Sequence, residues 1–391
     1  MAALACANNA FLYISEGKIT DFGTSNPEIL NQIRNQDPGV KLVDAEKGHV
    51  FPCWVDSHTH IVFAGNRELE FEDRIKGLSY EEIALRGGGI LNSAEVLRES
   101  SEDDLFQSAL GRLNEMKKLG TGAVEIKSGY GLSFESELKM LRVIKRLKKE
   151  SPLIIKATFL GAHAIPEEFK GRKRDYLQML MHEIMPVIQE EGLAEFCDIF
   201  CEKNYFSHED TLELMAAAKD YGMTPKVHAE QLSHSGGISA GIKSGAISVD
   251  HLEFASDVDI QSLKNSGTMP VLLPGAQLFL GLQNPPARKM IDAGCSVALS
   301  TDFNPGSCPS GNMNQMVSLA CILYKMTPSE AIIAATSNSA YAMNLEESVG
   351  SICRGKIANV FITSEISSYA FLPYSFGSNL VKKVFLKGEL Q

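Results

Sequence analysis

Short apolar runs alternate with amphipathic stretches over the middle of the chain, between residues 51 and 344. The amphipathic stretches place apolar residues every three or four positions, which predicts helices packed on one face at 135–149, 176–191 and 208–221. The apolar runs are short and rich in Val, Ile and Leu, as strands buried on both faces are. Strands of this type alternating with helices predict an α/β fold class, a closed (β/α)8 TIM-like barrel of eight strands. The alternative, a doubly wound open sheet, is disfavoured because no Gly-x-Gly-x-x-Gly turn follows an early strand.

The two ends of the chain have a different pattern, made of short strand-like runs. Near the start, the runs 11–14 and 18–22 flank a Glu-Gly pair, which is typical of a hairpin. Further strand-like runs lie at 41–44, 359–362 and 382–386. We therefore predict two domains, one small sheet domain from residues 1–50 plus 345–391 and the barrel from residues 51–344.

Polar side chains collect where the predicted barrel strands end. In a (β/α)8 barrel the active site lies at the C-terminal ends of the strands and in the loops that follow. The residues found at these positions are Tyr130, His163, Glu202, His228, His251 and Asp302. Histidines with a purely structural role would have no reason to prefer this edge, so the pattern predicts an active site there.

A metal site is the first hypothesis for these residues. His58 and His60 stand one residue apart at the end of the first strand, and on an extended chain they point to the same side. His228 on the fifth strand and Asp302 after the eighth are the candidates for the remaining ligands. His228 alone could be a buried core histidine and Asp302 a helix cap, but all four together favour a metal centre. Three imidazoles and a carboxylate suit Zn²⁺ or an iron or manganese ion, which lowers the pKa of a bound water towards ~7.

Composition excludes several classes of function. The formal net charge of -11 over 391 residues argues against non-specific binding of nucleic acid. No run of about eighteen apolar residues predicts a membrane span, and the first residues lack the basic start of a signal peptide. The 8 cysteines include no Cys-x-x-Cys pair, so we expect reduced, structural cysteines in a cytoplasmic protein.

These motifs resemble the amidohydrolase superfamily, which comprises metal-dependent hydrolases and deaminases on a (β/α)8 barrel. Within it, the chain is most similar to the imidazolonepropionase family, and the similarity extends through nearly the whole sequence. The motifs that carry it are 56–67 (DSHTHIVFAGNR), 79–90 (SYEEIALRGGGI), 125–131 (EIKSGYG), 158–166 (TFLGAHAIP), 228–231 (HAEQ) and 300–308 (STDFNPGSC). The resemblance implies a β-sandwich formed by both chain ends, one metal ion (Zn²⁺ or Fe³⁺) and a homodimer. It also implies hydrolysis of 4-imidazolone-5-propanoate to N-formimidoyl-L-glutamate, a step of histidine degradation.

The resemblance also assigns substrate-binding residues. Arg67 matches the family's substrate-binding arginine, and its forked guanidinium suits the propionate carboxylate. Tyr130 and His163 match positions that contact the substrate through a hydroxyl and an imidazole. Positions that hold substrate or product correspond to Asn304, Gly306 and Ser307, which without the family would indicate only a turn.

The implied mechanism leaves the proton carrier open. A metal-activated water attacks the ring carbonyl carbon, His251 polarises the carbonyl or stabilises the oxyanion, and Asp302 takes the water's proton. Some family members have an acidic residue where this chain has Gln231, and a glutamine cannot act as a base. Either Asp302 transfers protons alone, or Glu230 turns inward, as strand alternation with His228 would place it. We favour Asp302 as the base and Gln231 as a catalytic-site residue that contacts the substrate.

Two rival functions share parts of this pattern. A nucleobase-type deaminase of the same superfamily would keep the metal ligands but not the set Arg67, Tyr130 and His163. A catalytically silent barrel used as a scaffold would be expected to lose metal ligands, whereas this chain retains all four. A second metal bridged by a modified Lys203 is disfavoured, because Glu202-Lys203-Asn204 is typical of a solvated turn.

Overall fold

The computed structural model describes residues 4–78, 82, 88–376 and 378–391 and places a ring of parallel strands at the centre of the protein. In chain order the strands are β1 (Ala10–Ser15), β2 (Lys18–Thr24), β3 (Gly48–Pro52), β4 (Trp54–Asp56), β5 (Thr121–Lys127), β6 (Ile154–Ala162), β7 (Phe196–Cys201), β8 (Thr224–Ala229), β9 (Ser248–His251), β10 (Met269–Leu272), β11 (Ala298–Leu299), β12 (Val360–Glu365), β13 (Val381–Leu386) and β14 (Glu389–Leu390). Strands β4 to β11 form one 8-stranded parallel sheet in sequential order.

The parallel sheet closes on itself just beyond its first and last strands. A parallel bridge joins Thr59, after β4, to Phe303, after β11. The backbone N–H of His60 donates to the Phe303 carbonyl at 2.9 Å, and that of Asp302 donates to the His58 carbonyl at 3.0 Å. The predicted (β/α)8 barrel is therefore confirmed, and its closure is made by the residues predicted to form the site.

Helices cover the outside of the barrel. Their bounds are Pro27–Gln36, Glu68–Ile75, Ile90–Glu99, Glu102–Lys118, Phe134–Glu150, Lys173–Met179, Leu180–Ile184, Met185–Glu191, His208–Asp220, Gly237–Ser244, Asp257–Lys264, Pro274–Leu280, Ala287–Ala293, Met313–Leu323, Pro328–Ile333, Ala334–Asn338, Ser339–Tyr341 and Phe371–Tyr374, with a 3-10 turn at Glu167–Phe169. The three helices predicted from amphipathic spacing are all present. The helix Phe134–Glu150 begins where Ser133 caps the Ser136 N–H, and it buries one apolar face, as the spacing predicted.

The sheet at the chain ends differs in part from the prediction. β3 pairs with β12 and β12 with β13, so the N-terminal region and the C-terminus share a 4-stranded antiparallel sheet. β1 and β2 form a separate 2-stranded hairpin. The strand expected at 41–44 is not formed, and residues 27–36, expected to be strands and turns, are helical. Asn26 followed by Pro27 explains that helix, since the Asn26 side chain accepts from the Ile29 N–H and proline suits the first turn.

The predicted domain boundaries and the family motif 79–90 remain predictions. The division into residues 1–50 plus 345–391 and 51–344 stays a prediction. Most of the motif 79–90 lies outside the described residues. In the part of the chain that is described, no helix is long and apolar enough to cross a membrane.

Candidate active site

The four residues predicted as metal ligands lie together at the C-terminal end of the barrel. His58 and His60 follow β4, His228 lies in β8, and Asp302 follows β11; all are buried. Asp302 has φ 57°, a left-handed backbone that is uncommon outside glycine. His251, which ends β9, is also left-handed with φ 86°. Unfavourable backbone conformations of this kind concentrate at functional sites.

Three of these residues have the spacing of ligands around one ion. His58 Nε2 lies 3.3 Å from His60 Nε2, and each nitrogen lies 3.4 Å from Asp302 Oδ1. Ligands placed tetrahedrally at about 2.0–2.1 Å from zinc are about 3.3–3.4 Å apart. The distances between the three atoms therefore fit three ligands of one ion.

His228 and His251 extend this cluster on the other side of His58. The ligand nitrogens of His58, His228 and His251 also lie within 4.8 Å of one another. They form a second group, which shares His58 with the group of His58, His60 and Asp302. The buried His228 Nε2 has no hydrogen-bond partner among the described residues. A buried imidazole nitrogen without a partner is costly, and a metal ion would satisfy it. The structure thus brings the four predicted ligands and His251 together, and the donor set fits a metal ion.

Two aspartates behind the histidines orient them. His58 Nδ1 lies 2.6 Å from Asp250 Oδ2, so this nitrogen carries a proton, and in the neutral ring Nε2 would present a lone pair to a metal ion. His228 Nδ1 lies 3.0 Å from Asp198 Oδ2. Carboxylates in this position fix the tautomer of a ligating histidine and raise its basicity. Neither aspartate was identified from the sequence.

A buried lysine links the two aspartates. Lys127 Nζ lies 2.8 Å from Asp198 Oδ2, 3.7 Å from Asp250 Oδ2 and 2.6 Å from Glu125 Oε1. Lys226 Nζ donates to Glu125 as well, and all five side chains are fully buried. Such a network persists only because each charge has partners, since an unpaired buried charge costs several kcal/mol. Charged residues inside otherwise apolar strands were the sequence signal that could have revealed it.

Burial and pairing set the protonation of the site. Burial disfavours the ionised form of Asp302, but hydrogen bonds from His58 and His60 outweigh it and hold the pKa of Asp302 well below its usual range. Burial lowers the pKa of His251 and of His163 well below that of a free histidine. At neutral pH Asp302 is therefore ionised, and His163 and His251 are neutral. Burial and Lys127 oppose the charged form of His58, but its hydrogen bonds to Asp250 and Asp302 outweigh them and raise its pKa to about 9, so metal binding would displace a proton from it.

One cavity of roughly 690 Å³, its open mouth included, adjoins this cluster. The predicted site residues that line it are His60, Arg67, Tyr130, His163, His228, Gln231, His251, Asp302, Asn304, Gly306 and Ser307. The residues that line it and were not predicted are Arg74, Ile90, Phe200, Tyr205 and Leu280. The structure therefore brings the predicted substrate-binding residues to the predicted metal ligands.

The loop after β11 is shaped by Asn304. Asn304 Oδ1 accepts from the N–H groups of Gly306 and Ser307, both at 2.8 Å. Asn304 Nδ2 donates to the Asp302 carbonyl at 2.7 Å, and the Ser307 hydroxyl lies 3.0 Å from Asp302 Oδ2. Asn304 thus fixes the loop that carries Asp302.

His163 has one defined tautomer. Its Nδ1 lies 3.0 Å from the Gly129 carbonyl, which can only accept, so Nδ1 carries the proton. In the neutral ring, Nε2 is then a hydrogen-bond acceptor. The His163 ring stacks on that of His60 with centroids 5.3 Å apart, and the Tyr130 ring meets it edge-on at 5.5 Å.

The inward orientation considered for Glu230 is wrong. β8 ends at Ala229, and Glu230 has φ 49°, so the alternation that would place it beside His228 stops before it. Its carboxylate accepts from the Ile238 N–H at the start of the helix Gly237–Ser244, and Glu230 does not line the cavity. Gln231 does line it.

The residues after β7 have structural contacts. Glu202 accepts from the N–H groups of Leu232 at 2.8 Å and Ser233 at 3.2 Å, so it supports the loop after β8. Lys203 is exposed in a turn, as the sequence predicted.

Comparison with solved structures identifies proteins of the same fold. The chain is similar to 5-methylcytosine deaminase from Klebsiella pneumoniae, with a TM-score of 0.75, 17% identity and coverage of 100% of this chain and 95% of that chain. It is also similar to guanine deaminase from C. acetobutylicum, with a TM-score of 0.72, 15% identity and coverage of 98% and 95%. At these identities the likeness concerns the fold.

Sequence comparison is more specific. The chain is 55% identical to an imidazolonepropionase from Christiangramia forsetii, over 100% of this chain and 93% of the relative. It is 43% identical to an imidazolonepropionase from Clostridium tetani, over 98% and 90% respectively. The model of the amidohydrolase family matches residues 49–390. The chain therefore belongs to the amidohydrolase family and, within it, to the imidazolonepropionases.

Proposed function

We propose that this protein hydrolyses 4-imidazolone-5-propanoate to N-formimidoyl-L-glutamate. Water adds to the ring carbonyl carbon, the adjacent ring C–N bond breaks, and the nitrogen leaves with a proton. One observation carries the proposal: a single cavity combines the histidine–aspartate cluster with Arg67, a partner for the substrate's carboxylate. The names of the relatives agree with it.

We propose that His58, His60, His228 and Asp302 hold one metal ion, Zn²⁺ or Fe³⁺. Such an ion supplies Lewis acidity, which activates water and polarises a carbonyl. Nitrogen and carboxylate donors suit either ion. An adenosine deaminase from Xanthomonas campestris with the same fold, at a TM-score of 0.69, was solved with bound zinc.

Asp302 and His251 are the proposed catalytic residues. Asp302 is ionised at neutral pH and accepts the proton of the attacking water, which it then delivers to the leaving ring nitrogen. His251 is neutral and donates a hydrogen bond to the oxygen on which negative charge develops. Gln231 contacts the substrate and orients it, since a side-chain amide acts neither as an acid nor as a base at neutral pH.

The other lining residues bind the substrate. Arg67 binds the propionate carboxylate, and the Tyr130 hydroxyl donates a hydrogen bond to the substrate. His163 Nε2 accepts a hydrogen bond from a ring N–H, as its tautomer allows. Asn304, Gly306 and Ser307 also line the cavity and hold the substrate or the product.

The test is incubation of the metal-loaded protein with 4-imidazolone-5-propanoate, followed by loss of the ring's ultraviolet absorbance. We expect turnover with no release of ammonia. Absence of turnover, together with release of ammonia from a nucleobase, would overturn the proposal. His228→Ala should lose both bound metal and activity, and full activity in that variant would refute its role as a ligand.

We also propose a homodimer and a cytoplasmic location. The homodimer is implied by the family resemblance, and sedimentation of the purified protein would test it. The cytoplasmic location is favoured by the absence of a Cys-x-x-Cys pair, and fractionation of the source cells would test it.

A further inference from the structure

Arg74 is a second arginine in the cavity, and no motif of the sequence identified it. It lines the cavity together with Arg67, seven residues earlier. Arg67 precedes the helix Glu68–Ile75 and Arg74 lies in its last turn. Seven residues correspond to about two helical turns, so the two side chains leave the same side of the helix.

Glu70 lies between the two arginines and contacts both. Its Oε1 accepts from Arg67 Nε at 2.8 Å and its Oε2 from Arg67 Nη2 at 2.5 Å. Arg74 Nη2 lies 3.9 Å from the same Oε2. The Gly89 N–H also donates to Glu70 Oε1 at 2.9 Å, so the carboxylate is held from the backbone as well. Glu70 therefore fixes the positions of two guanidinium groups with one negative charge.

Both arginines also meet the loop after β11 at one residue. Arg74 Nη1 donates to the Gly306 carbonyl at 2.8 Å. A Cβ atom on Gly306 would lie 2.1 Å from Arg67 Nη1, far inside any tolerated contact. The absence of a side chain at Gly306 is thus what admits the Arg67 guanidinium to this position.

The charges of the cavity are arranged in two groups. Among the described residues that line it, the charged ones are Arg67, Arg74 and Asp302. Asp302 belongs to the proposed metal cluster, where two histidines contact it. The two arginines and Glu70 form a separate group at Gly306, with more positive than negative charge. Guanidinium groups bind carboxylates through paired hydrogen bonds, so this end of the cavity suits a carboxylate on the substrate.

We propose that Arg74 is a second specificity-determining residue, which binds the substrate's carboxylate together with Arg67. Glu70 is the positioning residue that holds both guanidinium groups for it. A small ring bearing a carboxylate side chain is then bound more tightly than a neutral analogue of the same shape. This inference rests on the proposed function for the identity of the ring, and its test uses binding so that it does not depend on turnover.

The experiment measures binding of imidazole-4-propionate and of its uncharged carboxamide to the metal-loaded protein by calorimetry. In the unsubstituted protein the carboxylate should bind more tightly than the carboxamide. Arg74→Met should weaken carboxylate binding by roughly tenfold or more, as loss of a charged hydrogen-bond partner does, and leave carboxamide binding unchanged. Arg74→Lys keeps the charge but not the fork and should fall between.

The matched control is Lys76→Met, which removes one positive charge from the same helix region at an exposed residue that pairs with Glu72. It should bind both ligands as the unsubstituted protein does. Equal weakening of both ligands by Arg74→Met, or no weakening of either, would overturn the inference. The metal content and the circular dichroism spectrum of each variant show whether it is folded. If Arg74→Met is misfolded, the binding of the two ligands to Arg74→Lys tests the inference instead. Failure of the proposed function would instead appear as no turnover of 4-imidazolone-5-propanoate by the unsubstituted protein.

Discussion

The aspartate behind His58 offers a quantitative test of the metal centre. In Asp250→Asn, an amide oxygen can still accept from His58 Nδ1, but the negative charge that raises the basicity of Nε2 is lost. Ser248 donates to Asp250 Oδ1 at 2.7 Å, and its hydroxyl can reverse its role to accept from the new amide. The substitution therefore changes charge with little change in shape.

The expected magnitude follows from the contact. A hydrogen bond to a charged group contributes about 1.5–3 kcal/mol and one between neutral groups about 1 kcal/mol. Their difference, about 0.5–2 kcal/mol, corresponds to a metal affinity that is lower by roughly twofold to thirtyfold. Carboxylates behind metal ligands typically change affinity by about 10–100-fold, which overlaps this range. Lys127, 3.7 Å from Asp250, loses part of its compensation, so the free energy of unfolding should also fall.

The assay is competition for the metal between each variant and a chelator of known affinity. Asp198→Asn should also weaken binding, because it removes the negative charge whose Oδ2 lies 3.0 Å from His228 Nδ1. The matched control is Asp259→Asn, since Asp259 also pairs with a histidine, His234 at 3.1 Å, at a place outside the cluster. An Asp250→Asn protein that binds metal as tightly as the unsubstituted one, or a control that weakens equally, would refute the reasoning.

Three further outcomes follow from the structure. Gly306→Ala should raise KM for the carboxylate substrate by roughly tenfold with bound metal unchanged, because the new Cβ displaces Arg67; an unchanged KM in steady-state kinetics would contradict this. Removal of the metal by chelation should lower Tm by several degrees, because an ion at about 1,000 times its Kd stabilises the folded state by about 4 kcal/mol; a Tm independent of metal concentration in thermal melts would contradict it. Hydrogen bonds from Arg288 hold the pKa of Glu330 at about 2, so the ionised form stabilises the fold above the usual carboxyl pKa and this contribution is lost as the pH falls through about 2. Glu330→Gln should cost about 1–2 kcal/mol in urea unfolding at pH 7 and progressively less towards pH 2, and an equal cost at both would be evidence against the ion pair.

The barrel could be predicted from the sequence because its strands are buried on both faces and read as apolar runs. The proximity of the proposed ligands could be predicted because His58 and His60 repeat with the period of a strand and His228 and Asp302 lie at the ends of other strands. Helix 27–36 was missed although Asn26 and Pro27 mark its start, because the strand-like runs around it dominated the interpretation.

What could not be predicted depends on the backbone and on contacts distant in sequence. Glu230 was considered as an inward residue because the alternation of a regular strand would place it on the same side as His228. Its left-handed backbone ends that alternation. Asp250 and Lys127 are distant in sequence, and they come close together only because β9 and β5 belong to one barrel. Arg74 lies on a helix where an arginine is ordinary, and only its contact with Gly306 distinguishes it.

The hydrogen bonds that close the barrel have a consequence for how the protein is made. His58 lies early in the chain and Asp302 late, yet their backbones bond directly, and their side chains meet at the cluster. During synthesis the chain grows from its N-terminus, so the first two histidines emerge long before the aspartate. The complete site can form only after β11 has been synthesised and paired with the start of the barrel. Capture of the metal by all four proposed ligands therefore comes late in synthesis. A chain that terminates before β11 carries three of the proposed ligand histidines without the closed barrel that brings them together.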